Sequence, residues 1–294
     1  MGNFRISTHG RLQDWIAAEK GYFDDEGLRY EMDVKLLENA EQDIPPGVPT
    51  APDVRVGAYE LYRSGGGGKK DMSCACHWAV NQAATDAAGR MWGHAYSVLP
   101  SAIYVPADSE IRGPEDLAEV EVAVGYHSGS HFSTIQALEA FLDSGQIKLA
   151  FTGMPYDRVD ALVDGGAEAA AVWGVQTDIV EQLGCRKVLD STFMAGFMFN
   201  SETDPSDVER YFRALKRAQM DLDLEPERYK HHYLKEIPPR FRGRVDIRRF
   251  GPGERVVFLP YTREMYERSQ RWMQERGLFE ERDSVPVYDS VVQV

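Results

Sequence analysis

Strand-like and helix-like segments alternate from the first residues onward, and this alternation limits the fold more than any other feature. "FRIST" (4–8) alternates apolar and polar side chains as a half-buried strand does. "RLQDWIAAEKGYFDDEG" (11–27) then puts Leu12, Trp15 and Ile16 on one helical face before Gly27 stops it. "LRYEMDVKLL" (28–37) reads as a second strand, and "DMSCA" (71–75) as a strand leading into the Ala-rich helix "HWAVNQAATDAAGR" (77–90). A short strand-like segment surrounds Val54 and Val56, and the glycine run 65–68 reads as a loop. A second unit repeats the theme with strands at 103–105, in "EVAVG" (121–125) and in "AAAVWG" (169–174), two of them followed by amphipathic helices. Regular β–α alternation predicts an α/β fold with mainly parallel sheets.

The totals exclude several classes. With 294 residues the chain can bury a full core without disulfide staples. Cys74, Cys76 and Cys185 form an odd set whose closest pair is separated by one residue, too tight for a disulfide framework, so the thiols are expected to be reduced. A net charge of −14 argues against a phosphate-backbone binder. Arg240, Arg242, Arg244, Arg248 and Arg249 make one local basic stretch, read as a solvated face balancing acidic helices. No apolar run approaches membrane-spanning length. The opening "MGNFRISTHG" shows none of the features of a signal segment and reads as cytosolic; a periplasmic or extracellular address requires that such a segment was removed.

Ligands in open α/β sheets bind outside the carboxyl ends of strands, so candidates are judged by whether they follow one. Cys74, Cys76 and His77 sit where a strand hands over to a helix. The helix dipole favours a thiolate there, which makes this cluster a nucleophile or a metal site for iron or zinc, completed by ligands from elsewhere. The competing reading is a pair of small buried apolar side chains. His9 closes the first strand as a general base, a ligand or a hydrogen-bonded structural histidine. His127, Ser128, Gly129, Ser130 and His131 precede a helix, whose free N–H groups and hydroxyls suit a carboxylate, sulfonate or phosphate; an ordinary serine N-cap is the alternative. Trp173 ends a strand and can stack on a planar ligand or fill the core, and Trp78, Trp92, Tyr126 and Phe132 add aromatic surface. Cys185, His231 and His232 read as structural or surface residues, and Gly68-Lys69 lacks the rest of a nucleotide P-loop.

The segments "IAAEKGYFDDEGLRYEM", "DSEIRGPEDLAEVEVAVG" and "VDALVDGGAEAAAVWG" resemble, in order and spacing, the type II periplasmic-binding-protein fold. The likeness is to its sulfonate, nitrate and taurine branch, which also holds the thiamine-pyrimidine synthases. The resemblance implies two lobes, 1–99 with 196–294 and 100–195, joined by crossover strands around a ligand cleft. Arg63, in "YRSGGGG", lies in a string similar to a segment of the aromatic sulfinate desulfinases. Those enzymes carry their cysteine after the first strand, where this chain has Thr8 and His9. The cysteine-rich motif of the pyrimidine synthases comes late in the chain, whereas this one comes early.

Two functions are therefore expected. One is a cytosolic enzyme of lyase, desulfinase, decarboxylase or pyrimidine-synthase type, acting on a small anionic aromatic or heterocyclic substrate. Cys74 or Cys76 would be its nucleophile or metal ligand, and His9 or His77 would move protons. The alternative is a substrate-binding protein that hands a small organic anion to an ABC permease without catalysis. A ligand sensor or metal carrier ranks below both.

Overall fold

A parallel strand covered on both faces is a continuous apolar run, and Ala169–Trp173 is buried at every residue. The computed structural model describes residues 3–34, 57–63, 70–279 and 287–293. The strands are β1 Phe4–Ser7, β2 Tyr30–Asp33, β3 Met72–Cys76, β4 Arg90–Trp92, β5 Tyr96–Val105 and β6 Glu121–Val124. They continue as β7 Lys148–Phe151, β8 Ala169–Trp173, β9 Arg186–Phe199, β10 Arg255–Val257 and β11 Val292–Gln293. The helices are α1 Leu12–Glu19, α2 Tyr22–Asp25, α3 Ala58–Arg63, α4 His77–Thr85, α5 Gly129–Leu138, α6 Pro155–Val163 and α7 Val175–Gln182. After β9 come α8 Pro205–Leu224, α9 Pro226–Tyr229, α10 Tyr233–Glu236, α11 Pro239–Arg242, α12 Arg263–Glu275 and α13 Tyr288–Val291.

One sheet runs β2-β1-β3-β9-β5-β8-β6-β7, with β10 added on β5, β4 on β9, and β11 on β4. Its two ends are parallel: β1 with β2 and β3, and β6 with β7 and β8. The middle is not. The long strands β5 and β9 pair antiparallel with each other, β9 antiparallel with β3, and β5 antiparallel with β8. The sheet is thus mixed where a mainly parallel one was expected. Two strands that connect two parallel half-sheets each run against the set they join, and short windows of side-chain periodicity carry no strand direction.

Pro100 shows how β5 serves both halves. Its partners on one side are β10, which ends at Val98, and β8, which begins at Ser101. The proline occupies the gap between them, the kind of ladder interruption that tolerates a missing N–H. A main core cluster covers both halves, and a smaller one under the second half gathers Ile103, Val105, Leu117, Val122, Val124 and Leu138. Helix α8 starts where Asp204 accepts the Ser206 N–H and Pro205 supplies a preset φ. It buries Val208, Tyr211, Phe212, Leu215 and Leu222 at helical spacing. Residues 54 and 56, and the glycine run 65–68, lie outside the described residues.

Candidate functional site

The carboxyl ends of both parallel half-sheets converge on one cavity of about 190 Å³. From the first half come Ser7 at the end of β1 with Thr8 and His9 after it, and Cys74, Ala75 and Cys76 at the end of β3. From the second come Gly125 and Tyr126 after β6, Gly153 and Met154 after β7, and Trp173 at the end of β8. Leu61, Tyr62 and Phe193 add apolar wall, and Lys70 and Arg158 supply positive charge.

His9 stacks on Trp173 with ring centroids 5.0 Å apart and planes at 17°. Its Nδ1 donates to Glu254 Oε2 at 3.0 Å, which fixes the tautomer as second-sphere carboxylates do. Glu254 is buried, accepts a hydrogen bond from the Ser97 hydroxyl, and lies 3.6 Å from Arg11 Nη1. Burial pushes this carboxyl up, but His9, Arg11 and Ser97 together outweigh it and hold the group below the usual carboxylate range. Arg11 is itself fully enclosed and donates from Nε to Asp14 at 2.7 Å.

Cys74 and Cys76 both line the cavity, as residues two apart on a strand can. Their protonation state reverses the expectation of an activated thiolate. Backbone N–H groups of Ala79 and Trp78 at the start of α4 do favour the Cys76 thiolate, yet burial wins and pushes this thiol up to about 12. Burial, with the nearby Glu254 charge, also pushes Cys74 up, against the opposing pull of Arg11. His77 turns away from both thiols. Its Nδ1 lies 2.9 Å from the Met194 carbonyl oxygen, burial lowers its pKa to about 4, and it faces a separate cavity with Trp78, Met194 and Trp272.

The expected metal set Cys74, Cys76 and His77 is therefore not assembled. Among the described residues, the group here that brings ligand atoms within 4.8 Å of one another is His9, Cys74 and Glu254. The Arg11 guanidinium beside Glu254 already supplies the positive charge a divalent ion would bring and would repel one. Iron or zinc does not fit this corner.

The "HSGSH" segment divides. Ser128 and Gly129 line the cavity at the start of α5, whereas Ser130 braces the loop by accepting the Gly125 N–H at 2.9 Å. The Ser128 hydroxyl donates to the Gly125 carbonyl at 2.7 Å, so these serines hold the loop while the helix end faces the cavity. His127 binds Glu60 through Nδ1 at 2.5 Å and the Leu278 carbonyl oxygen through Nε2 at 3.1 Å, and His131 is buried beside Phe132 and Phe151. Neither histidine lines the cavity. Arg63 ends α3, and its side chain lies outside the described residues.

Arg158 is the group that sequence reading missed. It is 1% exposed, and donates from Nε to the Ala171 carbonyl at 3.0 Å and from Nη1 to the Gly153 carbonyl at 3.0 Å. No carboxylate pairs with it among the described residues, and burial, opposed only by Asp157, lowers its pKa to about 10. In "PYDRVDALV" it reads as one more polar residue of an amphipathic helix. Lys70 also reaches the cavity, but its Nζ is shared with Ser7 Oγ at 3.0 Å and Asp33 Oδ2 at 3.0 Å.

No family model and no curated protein matches the chain. Solved structures do. The alkanesulfonate-binding protein SsuA from Xanthomonas axonopodis pv. citri, bound to MOPS, superposes with TM-score 0.71 at 15% identity, covering 100% of this chain and 98% of that one. A Candida albicans protein described as having the generic periplasmic-binding-protein fold gives TM-score 0.70 at 10% identity, covering 100% and 97%. The desulfurization enzyme DszB gives 0.61 at 15% identity, covering 98% and 95%. The chain therefore has the two-lobed α/β fold of the type II periplasmic binding proteins, with its cavity at the carboxyl ends of both parallel half-sheets.

Proposed function

We propose that this chain is a binding protein for a small organic anion of the sulfonate class, held between lobes 1–99 with 196–294 and 100–195. The observation that carries the reading is Arg158, a buried guanidinium on the cavity wall with no carboxylate partner among the described residues. An enclosed, unneutralised cation is costly, and an anionic head group removes the cost while gaining charge-assisted hydrogen bonds. The first turn of α5 adds N–H groups free of intrahelical acceptors. Trp173, Phe193 and Tyr62 take the apolar body of the ligand. Sulfonate-binding neighbours on the same fold support the same class. Delivery to an ABC permease in a periplasmic setting belongs to this proposal.

The enzyme reading has one supporting feature, the carboxylate-oriented His9 in the cavity, and DszB shows catalysis on the same fold. It fits less well because both cavity thiols are held protonated.

Titration calorimetry with MOPS, alkanesulfonates, a carboxylate analogue and inorganic phosphate tests the proposal, with each mixture checked for product by mass spectrometry. We expect one sulfonate per chain, no turnover, and at least about tenfold weaker binding in Arg158→Gln, which keeps hydrogen-bond donors but not charge. No binding to the folded protein, or undiminished affinity in a folded Arg158→Gln, overturns it. Product formation lost in Cys76→Ser restores the enzyme.

A further inference from the structure

Away from the cavity, Glu19, His231 and His232 bring one ligand atom each to within 4.8 Å of one another. Glu19 is the last residue of α1, and the two histidines occupy the short 3-10 turn Lys230–His232. Folding alone joins these elements, which lie over two hundred residues apart in sequence. Glu19 Oε2 is 3.2 Å from His231 Nε2 and 2.7 Å from His232 Nε2.

The tautomer of His231 makes this geometry informative. His231 Nδ1 lies 3.1 Å from the Arg228 carbonyl oxygen, so it carries a hydrogen and donates it. Nε2, the atom that faces Glu19, is then the lone-pair atom of a neutral His231. The His231 and His232 rings lie 4.0 Å apart, centroid to centroid. The His232 side chain is only 4% exposed, and Glu19 Oε2, 2.7 Å from its Nε2, is a close polar contact of this buried ring. A cation between them would take Glu19 Oε2, His231 Nε2 and His232 Nε2 as ligands.

We infer that Glu19, His231 and His232 form a site for a divalent transition metal of the zinc class. Two imidazoles and one carboxylate are a recurrent zinc donor set, and the imidazoles select against calcium and magnesium. The Arg228 carbonyl orients His231 as an outer-sphere partner orients a metal-bound histidine, and Trp15 stacks on His232 at 6.3 Å between centroids. His231 is 54% and Glu19 38% exposed, which leaves water access to a fourth position. The negative end of α1 also favours a cation there. A bound ion pins α1 to the turn after α9 and so stabilises the fold by linkage.

The test uses the full chain without a histidine tag, stripped with chelator and titrated with Zn²⁺ alone and with Co²⁺ alone. We expect one equivalent of either ion, a melting temperature that rises until one equivalent is bound, and a Co²⁺ spectrum without thiolate charge transfer. Replacing the exposed His231 (His231→Ala) is expected to weaken binding at least tenfold, as is Glu19→Gln, while Cys74→Ser leaves it unchanged. No uptake by the wild type, undiminished uptake by folded His231→Ala, or loss of uptake in Cys74→Ser overturns the inference.

Discussion

At the scale of single residues, burial decides the chemistry of this protein more often than identity does. Cys76 stands at the start of α4, yet burial outweighs the backbone N–H groups there, and burial likewise pushes up Cys74 inside β3. Glu236 follows the same rule and makes a pH prediction. Burial, against the Trp15 N–H that favours its charged form, pushes this carboxyl up to about 7. The folded state therefore keeps a proton that the unfolded chain releases near pH 4.5. Between those values the native state binds more protons, so the contribution of Glu236 to stability falls as pH rises. Glu236→Gln retains an acceptor for Trp15 without the buried charge. We expect it to be neutral at pH 5 and stabilising by about 1–2 kcal/mol at pH 8, measured by urea unfolding. A variant destabilised at both pH values refutes this account.

At the scale of elements, the start of α5 is shaped by what packs on it. A Cβ at Gly129 would lie 2.4 Å from the Phe193 ring, so the helix reaches the cavity wall only because that residue has no side chain. Gly129→Ala is expected to lose about 1–3 kcal/mol by overpacking and to weaken anion binding together with stability, measured by denaturant melts and calorimetry. Unchanged stability would mean that Phe193 moves aside easily. The serine- and glycine-rich stretch was readable as a helix start after a strand, although Ser128 bonds the Gly125 carbonyl and makes no side-chain cap. The roles of His127 and His131 were not, because a helix turns successive side chains to different faces and only the packed neighbours show which face is the cavity.

For the whole molecule, net charge and cavity charge have opposite signs. The chain carries −14 overall while its cavity wall presents Arg158. A diffusing sulfonate is repelled at long range and attracted at contact. Added salt screens the first effect far more than the second. We expect the association rate of a sulfonate, followed by stopped-flow tryptophan fluorescence, to rise severalfold from about 20 mM to 300 mM NaCl. A falling rate would place the dominant attraction at the surface and not on the enclosed guanidinium.

The α/β class, the positions of β1, β3, β6 and β8, and a cavity at their carboxyl ends were all written in the sequence. Hydrophobic periodicity is local, and ligand crevices follow strand ends. His9, Trp173, Ser128 and Gly129, singled out by that rule, line the cavity. The antiparallel β5–β9 centre, the pairing of His9 with Glu254, the burial of Arg158 with no carboxylate against it among the described residues and the meeting of Glu19 with His231 and His232 were decided only by the tertiary structure. Each depends on distances and solvent exclusion between segments remote in sequence, and those arise only once the chain is packed.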